Sequence, residues 1–245
     1  MNMLVAAGIA FLAIHLVISG TRVRDGIVSA IGEGPYMGLF ALASLATLVW
    51  LAISYNAASM SSENRVLYDL GRGVRDSGIL IIAVAFLLGV QGLLMPNPTS
   101  VRHGAAAATE ANIKGVLRIT RHPFLWGVVI WSAFHMAANG DLASVIFFGT
   151  FLAVAFLGTF SIDAKRKRKL GSVWDAFAAK TSNIPFAAVI SGRNSLNISE
   201  SLSRPFWIAA AAFLIILFAH YYLFHARPSR TDGFRSEIAN SEARS

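Results

Sequence analysis

Cysteine is absent from the 245 residues, which excludes a disulfide-stapled secreted domain and any cysteine-ligated metal or iron–sulfur centre. Charge is scarce as well. Asp, Glu, Lys and Arg make up 14% of the chain, where a soluble domain carries about 25%. Only 13 residues are carboxylates, and they are scarce inside the apolar runs, which argues against hydrolase or proton-pump chemistry. Apolar residues fill the space instead: 55% of the chain is hydrophobic and its mean hydropathy is +0.58. This balance excludes a disordered chain and points to an integral membrane protein rather than a water-soluble enzyme. The net charge of +8 sits between apolar runs, where membrane topology explains it better than nucleic-acid binding.

A bilayer core takes about 20 mostly apolar residues per helix. Six segments meet or approach that length: residues 3–19, 36–54, 78–95, 123–138, 142–162 and 205–224. The fold expected is therefore all-α, a polytopic membrane bundle of about six transmembrane helices over residues 1–226. Residues 227–245, rich in Ser, Arg and Glu, read as a disordered polar tail. The first segment lacks the basic stretch that precedes a signal peptide's apolar core, so it reads as a span. Lys and Arg number fourteen in the first, third and fifth connections against seven in the second, the fourth and the tail. Positive charge stays cytoplasmic, which favours both termini outside, in the periplasm if the membrane is a bacterial inner membrane. Asn139-Gly140-Asp141 is a tight-turn signal that makes the fourth and fifth helices an antiparallel hairpin. The long fifth connection can hold an amphipathic helix on the cytoplasmic face, with Leu170, Val173, Trp174 and Phe177 on one side. Lys165 to Lys169 reads as a topology anchor touching anionic lipid.

An ionisable residue inside a span is a functional candidate, because burying it there is costly. Five of the six histidines, His15, His122, His135, His220 and His225, lie in or at the edge of spans, and His103 lies in a loop. Without cysteine, imidazole and methionine sulfur are the ligands left for a haem, and two helices each offering one imidazole hold an iron most simply. A lone intramembrane histidine that only hydrogen-bonds its neighbours is the competing reading. His122 and His135 are too far apart to share one iron, about 20 Å along a helix. His15 with His135, His15 with His122, and His135 with His220 all remain open. Proline suits the first position of a helix, so Arg121 and His122 stand at the mouth of the helix that Pro123 starts. There they can meet a carboxylate, a phosphate or a haem propionate, or simply anchor the helix at the interface.

Four pieces in order carry a family resemblance: His15 with Arg22; Ile31-Gly32-Glu33-Gly34-Pro35-Tyr36 leading into Leu42-Ala43-Ser44-Leu45; Thr120-Arg121-His122-Pro123-Phe124-Leu125-Trp126-Gly127; and His135-Met136-Ala137-Ala138-Asn139-Gly140-Asp141. In these the chain resembles the NnrU family over roughly residues 3–225. The resemblance implies about six membrane helices. Bacterial members of that family are associated with denitrification and nitric oxide metabolism. Plant relatives are 15-cis-ζ-carotene isomerases that carry haem b on histidines. Carried over, it makes His15 and His135 the iron ligands. His220 stands where the family often has His-Pro, although Tyr221 follows it here. The implied partners are membrane lipid, a lipophilic polyene or nitric oxide, and an unidentified electron donor. Arg121-His122-Pro123 with the segment ending near Pro185 also resembles membrane methyltransferases of the isoprenylcysteine and phospholipid type, which implies S-adenosylmethionine as the alternative cofactor. A haem or NO-handling accessory protein without turnover is the third reading.

Overall fold

The computed structural model describes residues 1–99 and 108–224. The described residues are helical and hold no strand. In chain order the helices are α1 (Asn2–Leu12), which runs on into a π-helical turn (Ala13–Ile18), α2 (Val23–Ile31), α3 (Glu33–Ser59), α4 (Arg72–Asp76), α5 (Gly78–Leu94), α6 (Val116–Ile119), α7 (Pro123–Asn139), α8 (Leu142–Leu170), α9 (Ser172–Lys180), α10 (Ala187–Ile190), α11 (Ile198–Ser201) and α12 (Arg204–Phe224). Each of the six apolar runs is a helix. The tail over 227–245, with His103 and His225, lies outside the described residues.

Helix length corrects the expected span count. Two helices, α3 with 27 residues and α8 with 29, are long and apolar enough to cross a membrane. A third is counted if α1 with its π-turn and α2, bent by 76° at their junction, form one broken span. The count is thus two or three, not about six. Gly78–Leu94, and the Arg204–His220 part of α12, are apolar stretches of 17 residues, about 25 Å of helix against a hydrocarbon core of about 30 Å. Composition alone does not separate a helix that faces lipid along its length from one that is apolar because neighbours cover it. The apolar surface is nonetheless extensive. Leu39, Leu42, Leu45 and Ile53 of α3, and Ile215 and Phe218 of α12, are all exposed, as suits helices that meet lipid rather than water.

The long helices pack as a row that departs from chain order. α12 lies against α5, α5 against α7, α7 against α8, α8 against α1, and α1 against α3. Small residues set the closest contact. A Cβ on Gly127 of α7 would stand 2.7 Å from the Ala85 carbonyl oxygen and 2.8 Å from Gly89 Cα on α5, so these backbones meet directly, as small residues permit in membrane bundles. Leu4, Ala7 and Phe11 of α1 form a buried cluster with Leu51 and Ala58 of α3 and Ala143 of α8.

The expected hairpin is present. Gly140 (φ 67°) caps α7 in the left-handed region, and Asp141 opens α8 by accepting from Ser144 N at 3.0 Å. The segment before α4 straps this turn: Gly140 O accepts from Leu67 N at 2.9 Å, and Tyr68 donates its hydroxyl to Met136 O at 2.8 Å. α9, however, does not lie with its apolar side on lipid. Trp174 and Phe177 are buried against Ala108 and Ile113, while Val173 is exposed, because residues 108–113 pack against α9 and cover those rings.

A second lock closes the segment before α12. Glu200 accepts from Arg118 Nε at 2.7 Å, Arg118 Nη2 at 3.0 Å and Gly115 N at 3.1 Å. The Arg118 guanidinium holds the Glu200 carboxyl below the usual carboxylate range. A carboxylate lowered on folding stabilises above its unfolded pKa of about 4.3 and loses that contribution as pH falls through the folded value. Glu200→Gln is expected to cost about 1 kcal/mol at neutral pH and nothing at a pH below the folded value. Hydrogen exchange of the amides of residues 194–201 as a function of pH checks this; protection that is independent of pH in the wild type overturns it.

Candidate functional site

His15 lies in the π-helical turn, a local widening often found at functional positions. Its Nδ1 is 2.9 Å from Phe11 O. A carbonyl only accepts, so Nδ1 carries the proton and Nε2 presents its lone pair. His135, on α7, repeats the arrangement, with Nδ1 2.8 Å from Trp131 O. Both imidazoles therefore take the tautomer and backbone-held orientation that prepare a histidine for iron at Nε2.

Aromatic rings surround both. Phe11 is 4.2 Å from the His15 ring and Phe40 of α3 meets it edge-on at 5.4 Å. Phe148 of α8 stacks on His135 at 4.9 Å and Trp131 lies 5.1 Å away. Phe151 joins the two groups, 5.4 Å from Phe11 and 5.5 Å from Trp131. Phe11, Phe151 and Trp131 thus form a continuous apolar wall from His15 to His135, with α8 between the helices that carry them. His220 of α12 lies within electrostatic reach of His135. Sequence spacing gave no signal for Phe148 and Phe151, since apolar rings in a span are commonplace; only the side of α8 that faces both α1 and α7 singles them out.

Arg121 and His122 occupy a different place. Thr120 is extended and His122 (φ −118°, ψ 52°) lies outside helical geometry, and α7 starts at Pro123 because proline needs no donor there and pushes its predecessor out of helical geometry. Arg121 turns onto Asp163 near the end of α8, with Nε 2.9 and 3.0 Å from the two carboxylate oxygens and Nη2 bonded to Oδ2. His122 Nε2 is 2.7 Å from Asp163 Oδ1. Thr181 O accepts from Arg121 Nη1 at 3.3 Å, Ser182 O accepts from Arg121 N at 2.9 Å, and the Trp174 ring lies beneath the guanidinium at 5.7 Å. The open anion site expected at this helix mouth is therefore closed by an internal carboxylate. Burial pushes the His122 imidazole below its ordinary value against the pull of Asp163. The neutral ring donates from Nε2, and its buried Nδ1 has no partner. Asp163 is a site residue that sequence reasoning does not single out, since Arg121 and His122 precede it by more than forty residues.

Beside this cluster an open groove of about 380 Å³ is lined by Arg121, Phe160, Thr181, Asn183, Ile184 and Arg193, among others. Arg193 already donates from Nη1 to Ala179 O at 2.9 Å and Thr181 O at 3.0 Å. Among the described residues, no three of His, Asp and Glu gather into a metal-binding group. Each of the two imidazoles would offer one nitrogen, Nε2, to a bound group.

No solved structure matches the chain. It is similar to 15-cis-zeta-carotene isomerase, chloroplastic, of Zea mays, 33% identical over 82 residues that cover 34% of this chain and 22% of that protein. The protein of the same name from Arabidopsis thaliana is 28% identical over 109 residues, 43% of this chain and 30% of its own length. The chain thus spans between a fifth and a third of the curated relatives it matches. Residues 3–228 match the family model described as NnrU protein, and with nearly the whole sequence inside that match the chain belongs to the NnrU family.

Proposed function

We propose that this protein is a membrane-embedded, carotenoid isomerase-like member of its family that binds haem b through His15 and His135. The observation that carries the reading is the shared preparation of these two imidazoles, each with Nδ1–H held by the carbonyl four residues earlier and with Nε2 left as the donor. Similarity to the two isomerases supports the choice of substrate, a cis polyene of carotene type. A haem held there would supply reversible electron donation into a conjugated chain, lowering its double-bond order. The rest falls to the protein. His15 and His135 hold the ligand orientation, and Phe11, Phe148, Phe151 and Trp131 offer an apolar, aromatic wall along which a polyene lies. Isomerisation moves no proton, so a site without carboxylates suffices. The basic connections keep to the cytoplasmic side of a bacterial inner membrane. The electron donor belongs to a partner, and a nitric oxide-handling role at the same haem is the nearest variant of this reading.

The test is the absorption spectrum of detergent-purified protein before and after dithionite, with a pyridine haemochrome assay. A Soret band with sharp reduced α and β bands is expected. His15→Ala and His135→Ala each lose most of the haem, and conversion of 15-cis-ζ-carotene under reducing conditions stops. A colourless wild type produced with haem supplied overturns the proposal, and so does full haem retention in both variants.

Methyl transfer from S-adenosylmethionine is the second reading, favoured by the groove beside Arg121. Asp163 already occupies the arginine that would hold the cofactor's carboxylate, which ranks this reading lower. Titration calorimetry with S-adenosylmethionine separates the two.

A further inference from the structure

Between α9 and α12 the chain runs through residues 181–192 without a charge. The turn at its start exposes two large apolar side chains, Ile184 at 58% and Phe186 at 44%, an arrangement that marks a contact surface rather than a water-facing loop. The turn is held on the connection between α6 and α7. Ser182 O accepts from Arg121 N at 2.9 Å, and Phe186 N donates to Ile119 O at 2.8 Å. Asn183 O accepts from Thr120 Oγ1 at 2.5 Å. Within the turn, Ala187 N donates to Ile184 O at 3.2 Å and Ala188 N to Ser182 Oγ at 3.0 Å. Phe186 has φ 65°, and among the described residues it is the one non-glycine in the left-handed region, which L residues disfavour. A bond to α8 fixes the depth of the turn. Asn183 donates from Nδ2 to Thr159 Oγ1 at 3.0 Å, and Thr159 lies about one helical turn inside the point where the apolar length of α8 ends at Ile162. Phe156, Leu157 and Phe160 on that stretch of α8 are exposed, and Phe160 lines the same groove as Ile184 and Ala187. The apolar tips of the turn and the open side of α8 therefore share one surface.

We infer that residues 183–187 form a re-entrant turn that dips into the leaflet at the basic end of α8, with Ile184 and Phe186 among the acyl chains. The inference rests on the membrane reading of α8, one of the two helices long and apolar enough to cross, and not on haem. Irregular backbone is tolerated at that depth only where protein satisfies its polar groups, and the bonds from Ile119, Thr120 and Arg121 supply this. They also hold Phe186 in a conformation that it would otherwise leave. The charge pattern agrees. No ionic group has to enter lipid with the turn, and the next cation, Arg193, is turned back onto the end of α9, donating to Ala179 O and Thr181 O. The rings of α9 are covered by residues 108–113, so the element of this connection that meets lipid is the turn that follows the helix, not the helix.

The chain has no cysteine, so a single introduced cysteine carries a nitroxide to a chosen place. Ile184→Cys and Phe186→Cys are compared with Leu157→Cys on the exposed side of α8 and Ser172→Cys at the exposed start of α9. Each is reconstituted into vesicles of phosphatidylglycerol and phosphatidylcholine. Power saturation of the spin-label spectrum then compares access of oxygen, which concentrates in lipid, with access of a nickel chelate, which stays in water. Both turn positions are expected to shift with Leu157 toward oxygen, and Ser172 toward nickel. Turn labels that read like Ser172 overturn the inference. Labels closed to both reagents show that protein, a second copy of the chain for instance, covers the turn, and overturn lipid as its occupant. A Leu157 label open to nickel removes the membrane reading of α8 itself, an outcome distinct from a wet turn beside a lipid-facing helix. The unsubstituted protein gives a second readout if a label disturbs the turn. A phospholipid with a photoactivatable diazirine on its acyl chain should cross-link to the peptide that contains Ile184 and Phe186 as well as to α8; labelling of α8 alone overturns the inference.

Discussion

Asp163→Ala should lower stability by about 3–5 kcal/mol, the cost of leaving one partner of a buried ion pair without its counter-charge. The Arg121 and Asp163 side chains are 13% and 18% exposed, and that of His122 is fully buried. Without the carboxylate, the Arg121 guanidinium keeps its contact with Thr181 O but loses its charge partner. His122 loses its Nε2 acceptor while its Nδ1 is already unpartnered, so one small deletion leaves both ring nitrogens unsatisfied. Asp163→Asn retains the shape and fills the space without the charge, and should fall between the two. The double variant Arg121→Leu, Asp163→Leu removes both charges together and should be less damaged than the sum of its single variants, a coupling that a double-mutant cycle measures. Thermal unfolding in detergent reports the effect through Trp174, which packs against Arg121. An Asp163→Ala protein within about 1 kcal/mol of wild type would show that solvent screens the pair despite its burial. Under the proposed function, haem retention should follow stability in this series, because Arg121 and His122 bond to Asp163 of α8 and the loop after α9.

Gly140→Ala comes next in size. The residue has φ 67°, a region that costs an L side chain about 1–2 kcal/mol. A Cβ there would also lie 2.0 Å from the Tyr68 carbonyl oxygen, which is backbone and moves only with the whole strap that crosses the hairpin turn. Overpacking of this kind adds about 1–3 kcal/mol, so a total of about 2–5 kcal/mol is expected. Relief requires the strap to lift, which breaks the bonds from Leu67 N and Tyr68 N to Gly140 O. Gly26→Ala is the matching control, since a Cβ there meets nothing within 4 Å and alanine favours the helix. Its Tm should stay level or rise. Equal loss from both substitutions would remove the geometric explanation.

These two positions differ in how far they could be foreseen. Asn139-Gly140-Asp141 is legible because the turn's chemistry is local: a left-handed cap followed by an aspartate that opens the next helix. Pro123 at the first position of α7 is local in the same way, and the six apolar runs are visible because helix formation in lipid needs only a continuous apolar stretch. Asp163 is different. Its partners precede it by more than forty residues, and nothing local to α8 names Arg121. The π-turn at His15 and the break after Ile18 were hidden for a related reason, as the apolar stretch of residues 3–19 continues across the place where the backbone widens and bends. The span count failed on the same ground. Apolar residues mark what avoids water, and α5 avoids water partly by packing between α7 and α12. His15 and His135 could be named as ligand candidates from the sequence, but their tautomers depend on carbonyls that only a formed helix supplies.

The order of helices in the row also dictates a schedule of assembly. A ribosome delivers α1 and α3 first, and those two already contact each other, so they can pair before the rest exists. α5 then arrives with no seat, because its neighbours are α7, made later, and α12, made last. The α7–α8 hairpin enters as one unit and joins both sides at once, α8 to the waiting first pair and α7 to α5. It is a keystone set between two half-arches. A chain halted before residue 142 therefore holds two unjoined fragments, and until the keystone arrives α5 is the exposed flank that membrane quality control would meet.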